Sequence, residues 1–508
     1  MRRAELSTLA TDAARRFGDS VALTIPDSRS FTFRELDGLA GRFAGGLARL
    51  GVSHGARVVL HLPNGWEWIV AYHALARLGA VVVPANILLS GEEVAFAAAD
   101  SEAILLIASA EKAAAITTAD AVKVITLGAR SGGTIDFSSP LAHEYLSPVE
   151  VSPCDLFTIG YTSGTTGRPK GAMLTHRCLY SSLAATATMH VRHSGDTVLT
   201  SLPFPHVYGN IVMNSVFLSG LRLVSTPRFD AGEALRLIAT ERVTLFEGVP
   251  TMYYQMLAHP NIGSADLSSL TRCTVGGQTM PTAKIDAVVE RFGCPLLELW
   301  GMTEVSGPAI THSPYWPPRH GSIGMPVPGV EARIVDLADS TRELPSGEAG
   351  ELIVRGALSM EGYWKNDVAT AETIDAKGWP ATGDIARIDE DGYLFIVDRK
   401  KDLIITAGYN IYPAEIEQVI AMHPAVAMVA VASIPDEEKG EIARAFVVPH
   451  ANVVLGETEL LEHCRKYLAA YKVPRVITIV TDLPKTSTGK ILRRALREPV
   501  PNNATPAT

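Results

Sequence analysis

The sequence is poor in cysteine, and the cysteines that it has stand far apart. Its 508 residues include five, Cys154, Cys178, Cys273, Cys294 and Cys464, and no two of them form a CxxC pair. An odd and scattered set argues against a disulfide scaffold and against a structural zinc site. We therefore expect a protein of a reducing compartment, the cytoplasm.

Long hydrophobic runs and an excess of basic residues are missing as well. The most apolar stretch, residues 66–84, is interrupted by Glu67, His73 and Arg77, and no apolar segment follows the two N-terminal arginines. The sequence thus predicts neither a membrane span nor a signal peptide. Acidic residues outnumber Lys and Arg by 54 to 45, a formal net charge of −9, which argues against a protein that coats nucleic acid. The 47% of hydrophobic and 19% of charged residues are typical of a folded globular chain.

Short β-rich runs alternate with helical periodicity over two long parts of the chain. This alternation is typical of layered α/β domains with mostly parallel sheets. Strands are predicted at 58–60, 81–83, 104–107, 156–161, 198–201, 221–225, 244–247 and 296–299. Helices are predicted between them, at 66–78, 92–99, 231–240 and 282–291. From residue 321 the helical pattern disappears, and turns separate strands at 330–335, 351–354, 385–388 and 393–397, which predicts a β-rich subdomain.

A dense charge run, DRKKD at 398–402, separates this region from a tail of domain size in which helix and strand patterns alternate again. We predict an α/β fold with a large, multi-layered N-terminal domain at 1–400, whose β-rich subdomain is at about 321–400. A small α+β C-terminal domain is predicted at 401–508, with disorder over the last ten residues. By itself the charge run fits a solvated turn as well as a hinge.

A segment rich in glycine and hydroxyl groups, YTSGTTGRPKG at 161–171, follows a predicted strand. Its three glycines allow unusual backbone angles and the close approach of a ligand. Hydroxyl and amide groups offer donors to an anion, and Lys170 adds a positive charge. The segment does not match the Walker A pattern GxxxxGK[ST]. It predicts a phosphate-binding loop of another kind, the alternative being a flexible linker.

This segment resembles the signature loop of the adenylate-forming superfamily, which includes acyl- and aryl-CoA synthetases, stand-alone adenylation domains and firefly-type luciferases. Further motifs follow in family order: WGMTE at 300–304, TGD at 382–384, DRKKD with GYNIYPAEIE at 408–417, and PKTSTGK at 484–490. Because these motifs span nearly the whole chain, the sequence is identified as a member of the AMP-dependent synthetase and ligase family.

The resemblance implies how ATP is bound. Thr303 would contact the α-phosphate, and Glu304 would support Mg²⁺, because an acidic residue beside phosphates is favourable only with a cation between them. Taken alone, Glu304 would be a surface acid and Trp300 a core aromatic. The ATP-binding residues implied are Thr162, Ser163, Gly164, Thr165, Thr166, Gly167 and Lys170 at the phosphates, Gly276, Gly277, Gln278 and Trp300 around the adenine, and Asp384 and Arg399 at the ribose. Gly301 and Met302, from the same motif as Trp300, are also assigned to ATP binding.

Lys490 is the implied catalytic residue of the C-terminal domain. Its compact positive charge would bridge the substrate carboxylate and the α-phosphate while charge moves between them. In this family the small C-terminal domain is mobile and rotates between two half-reactions, which places Lys401 at the hinge. The second pose presents another face to the thiol of CoA, and Gly408 and Tyr409 are assigned to CoA binding.

The segment PFPHVYG at 203–209 resembles the family segment that guards the carboxylate and the thiol tunnel. The resemblance implies that His206 gates the site or contacts substrate; alone it would be a core histidine. With His206, Gly276 and Met302, the acyl pocket is assigned to Asn210, Gly248, Val305, Ser306, Gly307 and Pro308. These residues are small, apolar or neutral, and a second carboxylate would be buried among them without a partner. A monocarboxylic acid, aliphatic or aromatic, is therefore favoured over a diacid.

The expected reaction is ATP-dependent activation of a carboxylic acid to an acyl-adenylate with release of pyrophosphate, and then transfer to CoA, giving acyl-CoA and AMP. ATP, Mg²⁺ and CoA are the implied cofactors, and a homodimer is left open. One alternative is an enzyme that loads a separate carrier protein through its phosphopantetheine arm. A luciferase-like oxygenase on the same fold is another. A non-catalytic ATP or acyl sensor is a further alternative, and the intact Lys490 and Glu304 argue against the sensor. The KxDG motif expected of a nucleic-acid ligase is not found.

Overall fold

The structure is a computed structural model, and it describes residues 4–128, 132–162, 169–406, 409–436, 440–451, 453–485 and 491–497. Within these ranges, no helix has both the length and the apolar character that crossing a bilayer requires. Every strand and helix predicted above is present, although most of their ends shift by one to a few residues.

The first sheet has seven strands, and its interior is parallel. The strands of the first 175 residues are β1 (Val21–Ile25), β2 (Arg29–Thr32), β3 (Arg57–His61), β4 (Val81–Pro84), β5 (Leu105–Ser109), β6 (Lys123–Leu127), β7 (Ile135–Asp136), β8 (Leu156–Thr162) and β9 (Lys170–Thr175). The sheet has the order β7-β6-β5-β3-β4-β8-β9, and β9 alone runs antiparallel to its neighbour. The phosphate-loop motif therefore lies in the β8–β9 hairpin.

The second sheet has nine strands and takes up β1 and β2 at one edge. Its other strands are β10 (Thr197–Thr200), β11 (Arg222–Ser225), β12 (Leu245–Gly248), β13 (Arg272–Gly276), β14 (Leu296–Met302), β15 (Gly307–Thr311) and β16 (Met325–Pro326). The order is β16-β15-β14-β13-β12-β10-β11-β1-β2, parallel from β14 to β1 and antiparallel at both edges. Because helices cover both faces of such sheets, their inner strands are buried on both sides, and every residue of β12 and β13 is buried.

Helices fill the space between and around these two sheets. They are α1 (Leu9–Phe17), α2 (Phe33–Arg49), α3 (Trp66–Arg77), α4 (Gly91–Asp100), α5 (Ala110–Ala113), α6 (Ser138–Leu141), α7 (His176–Met189), α8 (Val207–Ser219), α9 (Ala231–Thr240), α10 (Pro250–Ala258) and α11 (Thr282–Phe292). Two of them start at capping boxes, Thr32 with Glu35 and Ser90 with Glu93, which satisfy orphan backbone donors. The largest core cluster joins both sheets through α2, α3 and α8.

An antiparallel sheet follows, where the sequence predicts the β-rich subdomain. Its strands run in the order β17 (Val330–Val335), β18 (Gly350–Gly356), β19 (Ala381–Ile388) and β20 (Leu394–Arg399). The region also contains a helix that the sequence pattern does not predict, α12 (Asp367–Thr373). Asn366 caps this helix, but Val368 is 72% exposed and only Ala369 is buried, so the apolar periodicity that would reveal a helix is missing.

The C-terminal part has its own α+β layer and its own core. Its five-stranded sheet consists of β21 (Ile404–Thr406), β22 (Tyr409–Ile411), β23 (Val426–Asp436), β24 (Gly440–Pro449) and β25 (Val476–Ile479), and β25 pairs in parallel with β24. The helices α13 (Pro413–Ala421) and α14 (Glu457–Tyr467) pack on this sheet around a separate cluster of buried residues. A separate core is what a domain that moves as a unit requires.

Candidate active site

A crevice of about 1420 Å³ lies between the three N-terminal sheets and the C-terminal part. It opens where strands of both large sheets end, a common position for ligand sites in α/β folds. The predicted site residues that line it are Thr162, Lys170, His206, Asn210, Gly277, Gln278, Trp300, Gly301, Met302, Thr303, Glu304, Asp384, Arg399 and Lys401. The fold therefore brings together residues from motifs that are up to 240 positions apart.

The ribose residues implied by the resemblance form one hydrogen-bonded group. Asp384 and Arg399 face each other across the β19–β20 pair, and Arg399 Nε lies 3.0 Å from Asp384 Oδ1. Trp300 Nε1 donates to the other carboxylate oxygen, Oδ2, at 2.7 Å. Both oxygens of a carboxylate that is only 5% exposed are thus held in place before a ligand arrives. Trp300 also packs in a buried cluster, so it is both a core aromatic and a hydrogen-bond donor.

The adenine residues divide between the crevice and the sheet behind it. Gly277 has a φ of +89°, which a side chain would strain. Gly276 does not line the crevice; a Cβ there would collide with Leu299, its partner on β14. Gln278 faces the C-terminal part, and its Nε2 lies 3.5 Å from the carbonyl oxygen of Ile491.

The phosphate side contains the two ends of the signature loop. Thr162 and Lys170 pair directly across the β8–β9 hairpin and line the crevice, whereas Ser163, Gly164, Thr165, Thr166 and Gly167 lie outside the described residues. Thr303 packs against Gly160, where an added Cβ would be 2.8 Å from Thr303 Cγ2. Only a glycine on β8 therefore allows Thr303 to come this close.

Glu304 is a buried carboxylate with an aromatic partner that sequence reasoning missed. The Tyr363 hydroxyl donates to Glu304 Oε1 at 2.9 Å, and Lys170 Nζ lies 5.2 Å from the centre of the Tyr363 ring. Burial and the adjacent carboxylate raise the pKa of Tyr363, so this hydroxyl stays protonated. Nothing in the pattern GYW at 362–364 indicates this role.

The Glu304 carboxylate is chemically suited to Mg²⁺. It is 7% exposed, and within the described ranges no ion pair engages it. Those ranges contain no group of three or more His, Cys, Asp or Glu that could hold a metal by itself. A single carboxylate fits a magnesium site in which substrate phosphates supply further oxygen ligands.

The residues on either side of Lys401 are tied to different parts of the fold. Lys400 Nζ lies 2.8 Å from Glu351 Oε2 on β18, while Asp402 Oδ1 accepts from Arg497 at 3.0 Å. Lys401 has no ion pair in the described part of the chain. Its pKa is lowered by desolvation and by the charge of Arg399. The ion pairs thus change from the N-terminal to the C-terminal part at Lys401.

Asp398, on β20, is hydrogen-bonded to the C-terminal part. Its Oδ2 accepts from the backbone N–H of Ala414 in α13 at 2.9 Å, and its Oδ1 accepts from that of Arg399 at 2.7 Å. Burial raises the pKa of Asp398 to about 6.

Part of the predicted acyl pocket does not line the crevice. His206 and Asn210 line the crevice, and the His206 ring accepts from the Tyr208 N–H at the start of α8. The residues that do not line it are all buried: Gly248, Val305, Ser306, Gly307 and Pro308. A Cβ on Gly307, for example, would lie 3.1 Å from Ile211 Cγ1 on α8.

Two of the C-terminal assignments, Gly408 and Lys490, lie outside the described residues. Tyr409 begins β22 and pairs with Thr406. The described neighbours of the lysine motif, Lys485 and Ile491, both line the crevice. The ends of that motif are therefore on the crevice side of the C-terminal part.

The fold and the crevice define an α/β enzyme with a nucleotide-type site between a large and a small part. Residues 10–364 match the family model described as AMP-binding enzyme, and residues 415–490 match that of the AMP-binding enzyme C-terminal domain. The chain belongs to the AMP-binding enzyme family. This confirms the resemblance, the predicted fold class and the assignment as a ligase.

Relatives agree with this membership over nearly the full chain. The long-chain-fatty-acid–CoA ligase of Bacillus subtilis (strain 168) is 34% identical, covering 97% of this chain and 94% of its own. The feruloyl-CoA synthase of an Amycolatopsis species is 36% identical, covering 98% and 97%. The ATP-bound structure of MatB from Rhodopseudomonas palustris has a TM-score of 0.89 at 29% identity, covering 98% of both chains. The anthranilate CoA ligase AuaEII with anthranoyl-AMP has a TM-score of 0.90 at 28% identity, covering 97% and 96%.

Proposed function

We propose that this enzyme activates a monocarboxylic acid with ATP and transfers the acyl group to CoA. In the first step a carboxylate oxygen attacks the α-phosphorus, the bond to the β-phosphate oxygen breaks, and pyrophosphate leaves. In the second step the CoA sulfur attacks the acyl carbon, AMP leaves, and the thiol proton passes to solvent. The observation that carries the proposal is the group formed by Trp300, Asp384 and Arg399 in the same crevice as Thr303 and Glu304.

Each anion of the first step meets groups suited to it. Asp384 accepts from the ribose hydroxyls, and Arg399 donates to them. Lys170 and the loop amides hold the β- and γ-phosphates, while Thr303 donates to the α-phosphate, where negative charge accumulates in the transition state. Glu304 would hold Mg²⁺, which, when bound, neutralises phosphate charge as a Lewis acid.

The catalytic lysine and the hinge are proposed from the motif and from the contacts around it. Lys490 would bring its ammonium to the two reacting anions from the segment between Lys485 and Ile491. Lys401 would be the hinge. Among the described residues, Lys400 is paired with the N-terminal part and Asp402 with the C-terminal part, whereas Lys401 forms no ion pair with either. The small domain then rotates about it to replace the lysine with the CoA-binding face.

The acid is proposed to carry a single carboxylate. Asn210 shares the crevice lining with Tyr72, Thr158, Leu174, Leu179 and Val207, and none of these is a lysine, arginine or histidine. A second carboxylate in this place would lose its hydration without gaining a counter-ion, at a cost of several kcal/mol. The names of relatives, which include fatty-acid and feruloyl ligases, support monoacids of different shapes.

Release of pyrophosphate across a panel of monocarboxylic and dicarboxylic acids tests the proposal, followed by mass analysis of products with and without CoA. We expect pyrophosphate from monoacids in the presence of Mg²⁺ and an acyl-CoA when CoA is added. Pyrophosphate release that gives no acyl-CoA when CoA is added would favour loading of a separate carrier protein. Pyrophosphate release from diacids alone would contradict the monoacid assignment.

We also propose a cytoplasmic location for this enzyme. All five cysteines are free thiols, and Cys273 and Cys294 remain unbonded with their sulfur atoms 3.7 Å apart, which supports a reducing cytoplasm. A homodimer stays a prediction that light scattering of the purified chain would test.

A further inference from the structure

One part of the crevice lining comes from the seven-stranded sheet and helices α3, α7 and α8, and we call this part the chamber. Its lining residues are all buried: Tyr72, Thr158, Leu174, Leu179, Val207 and Asn210. Leu174, Leu179 and Val207 make half of this wall apolar. Between the polar residues, the Tyr72 hydroxyl donates to Asn210 Oδ1 at 3.1 Å. Polar groups placed in an otherwise apolar binding pocket orient a ligand and provide specificity.

Hydrogen bonds determine which way round the Asn210 carboxamide lies. Asn214 Nδ2 is 3.0 Å from the backbone carbonyl of Asn210, and a carbonyl accepts but cannot donate, so Asn214 must present its nitrogen on that side. The same nitrogen lies 2.9 Å from the side-chain amide of Asn210. The atom of Asn210 that faces it must then be the acceptor, Oδ1. The helix backbone thus fixes Asn214, and Asn214 fixes Asn210.

Tyr72 strengthens this arrangement from the opposite helix. Burial raises the pKa of Tyr72 far above its ordinary value, so its hydroxyl stays protonated and donates to the same Oδ1. With two donors, the oxygen of Asn210 is satisfied. Its Nδ2 has no acceptor among the described residues and is not sealed from solvent, unlike Asn214 Oδ1. Asn210 therefore offers an unused N–H donor to the chamber.

We propose that Asn210 Nδ2 recognises an oxygen atom on the acyl group, so that the enzyme prefers acids with a hydroxyl, ether or carbonyl oxygen over hydrocarbon acids of the same shape. This inference rests on the proposed function, because it takes the chamber as the acyl site. It makes Asn210 a specificity-determining residue and narrows the substrate class to oxygenated monocarboxylic acids.

The fold also indicates how far from the carboxylate this oxygen lies. Asn210 is one helical turn from His206, and its N–H donates to the His206 carbonyl at 2.8 Å, which corresponds to a rise of roughly 6 Å. On the opposite wall, Thr158 is two residues along β8 from Gly160, the residue that packs on Thr303, or about 7 Å. The acceptor is thus expected about one aromatic ring beyond the reacting carboxylate.

Matched pairs of acids, in which an ether oxygen replaces a methylene, provide the test. For pyrophosphate release by the full chain, kcat/KM is compared between 4-methoxybenzoate and 4-ethylbenzoate, and between 5-methoxypentanoate and heptanoate. A hydrocarbon acid leaves the amide N–H without a partner. In the pair of acids that gives the higher kcat/KM, we therefore expect the oxygenated acid to be favoured by roughly tenfold. In Asn210→Leu, which keeps the shape and removes the donor, the preference should disappear.

Two further variants separate recognition from packing. Leu179→Met, an apolar change in the same chamber, should alter both acids alike and keep their ratio. Tyr72→Phe removes one of the two donors to Asn210 Oδ1, so it should reduce the preference for the oxygenated acid without abolishing it. A wild-type ratio of one or less, or an undiminished ratio in Asn210→Leu, would overturn the inference while the ligase function stands. Absence of pyrophosphate release with every acid would instead contradict the proposed function. The comparison of the two acids in the wild-type enzyme tests the inference even if a variant fails to fold.

Discussion

Replacement of Trp300 by phenylalanine should raise the KM for ATP about tenfold and leave the KM for the acid nearly unchanged. The indole Nε1 donates to Asp384 Oδ2 at 2.7 Å, and Arg399 Nε holds the other oxygen at 3.0 Å. Phenylalanine preserves the aromatic ring in its buried cluster but removes this donor. The Asp384 carboxylate then loses one of the two contacts that orient it toward a ribose.

The size of the effect follows from the charge and the accessibility of the carboxylate. A hydrogen bond to a charged group contributes about 1.5–3 kcal/mol. The lower end applies here, because Asp384 lines an open crevice where water can replace part of the lost bond. Since about 1.4 kcal/mol corresponds to a tenfold change in affinity, we expect roughly that increase in KM.

The assay is the initial rate of pyrophosphate release against ATP concentration, with thermal midpoints measured for each protein. Trp364→Phe is the matched control: it also removes an indole N–H donor, whose partner at 3.0 Å is the backbone carbonyl of Asp100, and Trp364 lies outside the described crevice lining. An unchanged KM in Trp300→Phe would refute the positioning role. An equal rise in both variants would indicate a general loss of stability instead.

Three further outcomes are expected. Lys490→Ala should lose acyl-adenylate formation by about 10²–10³-fold; survival of ATP–pyrophosphate exchange would contradict its role. Lys401→Pro should block thioester formation but retain adenylation, since proline fixes φ, and equal loss of both steps would exclude a pure hinge role. Burial and Arg77 lower the pKa of His73 to about 3, so the unfolded chain alone takes up this proton below about pH 6.5. The folded state therefore loses stability as pH falls, and His73→Leu should gain about 2 kcal/mol relative to wild type between pH 8 and 5. Thermal midpoints that shift in parallel would contradict this.

The ATP-side residues could be predicted from sequence because WGMTE and DRKKD each include the end of a strand, and TGD lies next to the start of another. WGMTE spans the end of β14 and the turn after it, and the residues of TGD and DRKKD lie on the paired strands β19 and β20. A motif next to a strand end is positioned by that strand, so local sequence largely determines where its side chains point.

The acyl side could not be predicted in the same way, because its wall is assembled by contacts between distant elements. Tyr72 and Asn210 are 138 residues apart and meet only through the packing of α3 against α8. Gly248 and the segment 305–308 follow or precede crevice residues in the chain, yet they do not line the crevice themselves. Gly307 instead packs closely against α7 and α8, near Ser182 and Ile211. The assignment of Gly248 and of 305–308 to the pocket stays a prediction.

The net charge of −9 raises the question of how a chain of this sign binds ATP and CoA, which are both anions. The described crevice lining is balanced, with eight basic side chains and eight acidic ones; the basic ones are Lys170, Lys284, Arg399, Lys400, Lys401, Lys485, Arg493 and Arg497, and the acidic ones are Glu93, Glu304, Glu351, Glu372, Asp384, Asp398, Asp402 and Glu417.

Most of these basic groups are already engaged, for example Arg399 with Asp384 and Arg493 with Glu417. Within the described ranges, Lys170, Lys284 and Lys401 form no ion pair. Lys284 Nζ donates to the backbone carbonyl of Val426 at 2.6 Å, and Lys170 lies over the Tyr363 ring on the phosphate side. An incoming triphosphate therefore meets Lys170 without first breaking a salt bridge, which avoids the cost of leaving a buried acid unpaired. Attraction of the nucleotide then depends on where a few unengaged cations stand, and the field of the whole protein opposes it.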